Sequence, residues 1–99
     1  MAKGVAEVLV TLGGSGACLV TADGAWAATA PAVEVRSTVG AGDSSLAGYI
    51  MARADGDPFD ECLRRAVAYG SAAAALPGTG LPSPADLDLA GTEVSRITR

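Results

Sequence analysis

The sequence contains no histidine and a single lysine, Lys3. The first absence excludes a Ser-His-Asp triad, which needs an imidazole base. The second excludes the phosphate loop that closes in Gly-Lys-Ser or Gly-Lys-Thr. Only two cysteines are present, Cys18 and Cys62, far apart in the chain. Without histidine a zinc site would need Asp or Glu to join them, so they read instead as reduced buried thiols, which suits the cytoplasm. Basic residues group nowhere except Arg64-Arg65 and the net charge is −4, so a nucleic-acid surface is not expected. No apolar run reaches membrane-spanning length, and Met1-Ala2-Lys3-Gly4 is too short to open a signal peptide.

What remains is the composition of a packed protein: 49% of the residues are hydrophobic and 18% charged. A chain of 99 residues allows one domain at most and a modest core. Alanine and glycine dominate and only 4% of residues are aromatic, so that core is built from small side chains in close contact.

Hydrophobic periodicity divides the chain near residue 40. Val8-Leu9-Val10-Thr11-Leu12 is a continuous apolar run and predicts a strand buried on both faces. Gly13-Gly14-Ser15-Gly16 connects it tightly to a second strand, Ala17–Thr21. Asp23-Gly24 marks a turn into a third, Ala25–Thr29, and Val33-Glu34-Val35 has the character of a short fourth. Leu46, Tyr49, Ile50 and Arg53 then follow helical spacing from Gly42 to the stop at Asp55-Gly56. A second helix is predicted with Asp57 as N-cap and Pro58 in its first position. Asp60 and Glu61 are spaced to pair with Arg64 and Arg65, otherwise a solvated face. Its apolar stripe is Phe59, Leu63, Ala66, Val67, Gly70 and Ala74. Ser83-Pro84-Ala85-Asp86 has the form of a capping box opening a short third helix, and Glu93–Thr98 predicts a last strand. Strands followed by two long helices indicate an α/β or α+β layer.

The segment most suited to chemistry is Thr38-Val39-Gly40-Ala41-Gly42-Asp43-Ser44, where β structure gives way to a helix. Glycine there lets the backbone turn and approach a ligand. The first N–H groups of a helix lack partners and carry partial positive charge, which suits a phosphate. Two readings of Asp43 follow. In one it merely complements the helix dipole while Gly40 and Gly42 make a turn. In the other, the backbone holds a transferring phosphoryl group and Asp43 takes a proton from the attacking hydroxyl. Gly14-Ser15-Gly16-Ala17-Cys18-Leu19 is no dinucleotide fingerprint, since it lacks the third glycine and leads into a strand.

Ser37-Thr38-Val39-Gly40-Ala41-Gly42-Asp43-Ser44 resembles the second signature of the PfkB (ribokinase-like) carbohydrate kinases, in its 1-phosphofructokinase form. Ser37 stands where that signature usually begins with Asp. Val10-Thr11-Leu12-Gly13-Gly14-Ser15-Gly16-Ala17 and Pro77-Gly78-Thr79-Gly80-Leu81-Pro82 are similar, in order and spacing, to the family's segments bordering the nucleotide. The resemblance implies an α/β, three-layer ribokinase-like fold, of which residues 1–99 are the C-terminal nucleotide-binding and catalytic segment. The first glycine signature, most of the sugar site, the β lid and several strands of a central parallel sheet would lie outside it.

It further implies ATP-dependent phosphoryl transfer to a sugar phosphate, fructose 1-phosphate giving fructose 1,6-bisphosphate, with Mg2+. By this likeness Asp43 matches the catalytic base, and Gly40, Ala41 and Gly42 an anion hole for the γ-phosphoryl group. Thr11, Gly13, Gly14, Ser15, Gly16, Gly42 and Asp43 match nucleotide-lining positions, with Gly78 and Gly80 near the adenine. No metal ligand is assigned. The chain alone is expected to be weak or inactive, associating with the missing N-terminal part or with its own kind. A non-catalytic nucleotide- or anion-binding fragment is the alternative.

Overall fold

Alternation along the second strand sorts its side chains between two faces: Ala17, Leu19 and Thr21 are buried while Val20 is exposed. The computed structural model describes residues 7–31, 35, 40–76 and 82–98. In chain order these form β1 (Glu7–Thr11), β2 (Ala17–Thr21), β3 (Gly24–Thr29), α1 (Ala41–Ala54), α2 (Phe59–Ala75) and β4 (Glu93–Thr98). The four strands make one sheet in the order β1-β2-β3-β4, antiparallel at every described pairing. The expected α/β class and the run of strands followed by two long helices are both found.

Helix α2 closes one face of this sheet. Leu19, Trp26 and Ala28 meet Leu63, Ala66 and Val67 in a single apolar cluster, joined by Tyr49 and Ala52 of α1. Trp26 packs against Phe59 with ring centroids 5.7 Å apart. At the far edge, Arg64 of α2 donates to the Thr92 carbonyl at 2.9 Å and to that of Leu89 at 3.4 Å. Arg64 therefore pins the approach to β4, where the sequence suggested only a solvated side chain.

The expectation that β1 is buried on both faces is corrected. Val8 and Val10 are 39% and 46% exposed, and their cross-strand neighbours Val20 and Cys18 lie on the same face. Both helices pack on the Leu9–Leu19–Trp26 side, so among the described residues nothing covers the other side. An unbroken apolar run records that both faces are hydrophobic, not that both are covered.

Four smaller expectations also shift. Helix α2 starts at Phe59, with Pro58 at the cap position and no side-chain cap. The Asp57 carboxylate is instead 3.6 Å from Nε of Arg65, and its carbonyl accepts the Cys62 thiol at 3.4 Å. Glu61 pairs with both Arg64 and Arg65, at 3.3 and 3.5 Å, while the Asp60 carboxylate accepts the Glu61 backbone N–H. The third helix is a single 3-10 turn, Pro84–Asp86, closed by the Ser83 N–H donating to the Asp86 carboxylate at 2.7 Å. Of the predicted strand at 33–35, only Val35 is described; it is exposed and belongs to no strand.

Candidate active site

The turn after β1 and the start of α1 border one cavity. The first is a 3-10 turn, Gly13–Ser15, in which Leu12 N–H donates to the Gly16 carbonyl at 2.8 Å and Gly16 N–H to that of Gly13 at 3.1 Å. Gly16 has φ +101°, and a Cβ there would sit 1.9 Å from the Ala28 carbonyl oxygen. No other residue fits, because the left-handed backbone and the close strand each exclude a side chain.

Helix α1 begins from Gly40, whose φ of +80° lies in the left-handed region. The first helical bond runs from Ser44 N–H to the Gly40 carbonyl at 2.9 Å. The amides of Ala41, Gly42 and Asp43 have no acceptor inside the helix, and Gly40 offers no side chain to cap them. They carry the positive end of the helix dipole, and Asp43 in this turn is exposed.

The cavity has a volume of about 280 Å³. Thr11, Gly13, Gly16 and Ala17 form its strand side, and Ala41, Gly42 and Ser45 its α1 side. Val67, Gly70, Ser71 and Ala74 of α2 close it, and Ala30, Pro31 and Val35 reach it from the segment after β3. Five sequence-predicted site residues thus meet in one space: Thr11, Gly13, Gly16, Ala41 and Gly42. Gly40, Asp43 and Ser15 lie on the same two turns without lining it, and Gly14 lies within the 3-10 turn. Gly78 and Gly80 lie outside the described residues, as do Ser37, Thr38 and Val39.

The contributions of Ser45 and Gly70 were not read from the sequence. A signal for the α2 wall existed: Val67, Gly70, Ser71 and Ala74 follow the i, i+3, i+4, i+7 spacing of one helix face.

A polar latch ties the two sides of the cavity together at a distance from it. Glu7 on β1 accepts from Arg53 Nε and Nη2 at 3.0 and 2.9 Å, and from the Tyr49 hydroxyl. The Arg53 hydrogen bond, then that of Tyr49, holds the Glu7 carboxyl below its ordinary range. Burial, then the Glu7 bond, pushes the Tyr49 phenol up.

These elements define an α/β fold of the ribokinase-like kinases, with a glycine-bordered cavity at a helix start. The sequence matches the pfkB family carbohydrate kinases over residues 1–86, and the chain belongs to that family. It is 39% identical to the 1-phosphofructokinase of Escherichia coli K12 over 79 residues, 80% of this chain and 25% of that protein. It is 39% identical to the 1-phosphofructokinase of Haloferax volcanii over 97 residues, 98% of this chain and 32% of that protein. The crystal structure of phosphofructokinase-2 from E. coli with substrates and products superposes with TM-score 0.76 at 39% identity, covering 81% of this chain and 26% of the other. A Staphylococcus aureus structure, provisionally named a phosphofructokinase, superposes with TM-score 0.87 at 30% identity, covering 97% and 31%. The chain spans between a quarter and a third of the length of these relatives.

Proposed function

We propose that this chain supplies the nucleotide site and the catalytic base of a kinase that transfers the γ-phosphoryl group of ATP to fructose 1-phosphate. The observation that carries the reading is the cavity between the Gly13–Ser15 turn and the uncapped first turn of α1. Asp43 removes the proton from the sugar's primary hydroxyl. The hydroxyl oxygen bonds to the γ-phosphorus as the bridge to the β-phosphate breaks, and ADP leaves. The N–H groups of Ala41, Gly42 and Asp43 balance charge on the moving group, since catalysis of this kind is positioning plus electrostatics. The described residues contain no group of three or more His, Cys, Asp or Glu able to hold a metal. Magnesium is proposed to enter as an ion carried on the nucleotide's phosphates, and no step is routed through a protein-bound metal.

The exposed valine face and the β1 edge are proposed as the seat of the remaining part of a PfkB polypeptide, which also brings the sugar site; a second copy of the chain is the competing occupant. No described helix is long and apolar enough to cross a membrane. A cytoplasmic setting is part of the proposal, supported by the two free cysteines.

The test is phosphoryl transfer from ATP to fructose 1-phosphate, by the chain alone and with a supplied N-terminal part. The expected result is weak or no turnover alone and turnover on complementation. Asp43→Asn should lower that rate by roughly 10²–10⁴-fold; an unchanged rate would remove Asp43 from the mechanism. The exposed valines favour a second reading, a chain that binds nucleotide without turning it over. Titration with Mg·ATP showing binding, and no transfer after complementation, would establish that reading instead.

A further inference from the structure

The contact between α1 and α2 rests on two glycines that the backbone does not require. Neither Gly48 nor Gly70 has a positive φ. Inside a helix such glycines destabilise relative to alanine, so their presence calls for a steric reason. The structure supplies one at each. A Cβ on Gly48 would lie 2.9 Å from the Arg65 carbonyl oxygen and 2.6 Å from the Tyr69 ring. A Cβ on Gly70 would lie 2.2 Å from Oγ of Ser45, with the Ala41 carbonyl next at 3.5 Å.

The two contacts differ in kind. At Gly48 the obstacles are the Tyr69 ring and the Arg65 carbonyl, and since the carbonyl is backbone, a side chain there forces the helices apart. At Gly70 the obstacle is one hydroxyl in the first turns of α1, and removing that hydroxyl removes the clash. Both determine where Ala41 and Gly42 stand relative to the cavity wall made by Gly70, Ser71 and Ala74. Gly42 provides a contrast, because a Cβ there would meet nothing within 4 Å.

We propose that Gly48 and Gly70 are positioning residues for the phosphate site: they seat α1 on α2 closely enough that its open N–H groups face the bound nucleotide at hydrogen-bond range. This rests on the nucleotide reading given above. Neither glycine touches the ligand through a side chain; each acts through the placement of Ala41 and Gly42.

The test is titration of the full chain with Mg·ATP, well below the melting temperature, for the natural sequence, Gly48→Ala, Gly70→Ala, Ser45→Ala and the double variant Ser45→Ala/Gly70→Ala. Hydrogen exchange at the Ser44 amide is followed in parallel. Losing one hydrogen bond to a charged group corresponds to about tenfold or more in affinity. Gly48→Ala should therefore weaken binding by at least about tenfold and speed exchange at Ser44 more than along the middle of α2. Gly70→Ala should weaken binding, and the double variant should return to the level of Ser45→Ala alone. Unchanged binding in Gly48→Ala, exchange that rises uniformly along both helices, or no rescue in the double variant would overturn the proposal. If the natural chain binds Mg·ATP neither alone nor with a supplied N-terminal part, the nucleotide reading fails and this inference with it. Normal binding by the natural chain with no effect of Gly48→Ala sinks this inference alone.

Discussion

The two glycine turns that border the cavity use the same residue for opposite reasons. In the turn after β1, Gly16 is dictated by the fold, since its backbone is left-handed and a Cβ would strike the Ala28 carbonyl. In the first turn of α1, Gly42 has helical geometry and open space around it, so the fold itself makes no demand for glycine there. The difference separates a glycine kept for architecture from one whose value lies in what approaches it. The strand-side turn is a fixed wall. The helix-side turn is an open face, and its missing side chain is space available to a ligand.

Gly16→Ala tests the architectural half and carries the largest expected effect. Left-handed strain and overpacking cost about 1–3 kcal/mol each, so urea unfolding should show a loss of several kcal/mol or no folded chain at all. A midpoint unchanged from the natural sequence would mean that the turn can rearrange.

Gly42→Ala tests the other half and should move two quantities in opposite directions. Stability should rise by up to about 1 kcal/mol, as for an unstrained glycine-to-alanine change in a helix. Mg·ATP affinity should fall, because the added methyl stands beside the open amides. A variant that gained stability and kept its affinity would make Gly42 a neutral position.

The smallest effect belongs to the latch that joins the two walls. The carboxyl of Glu7 is held below its ordinary value in the folded chain, so its share of stability is present above about pH 4.5, the unperturbed carboxylate value. That share is lost as pH falls through the lowered folded value. Glu7→Gln should lower stability slightly at neutral pH, since exposed ion pairs contribute little, and should match the natural sequence below the lowered folded value, so that its acid limb is flatter. An acid limb identical in both proteins would assign that dependence to other carboxylates.

Much of this arrangement was legible in the residues. Ala17–Thr21 and Glu93–Thr98 form strands at the predicted bounds, and the helix starting beside Gly42 ends before Asp55-Gly56 as its stop signals indicate. Local pattern and turn chemistry suffice for such elements. The exposure of Val8 and Val10 was not legible, because covering a face depends on what else packs there. The Tyr49–Glu7–Arg53 latch joins positions more than forty residues apart, and nothing local marks it. Nothing local marks Gly48 either, since the carbonyl it must avoid lies on another helix. The candidate site divides in the same way: its two glycine turns stand out in the sequence, whereas Ser45 emerges only when the helices are packed.

The valine face has a consequence for handling the molecule. Among the described residues β1 pairs on one side only, and Val8, Val10 and Val20 extend an apolar surface from that edge. An open strand edge beside such a surface recruits other strands, and recruitment accelerates with concentration. Soluble yield should therefore fall as expression level rises, and chaperones that hold unpaired strands should find in this chain a persistent client.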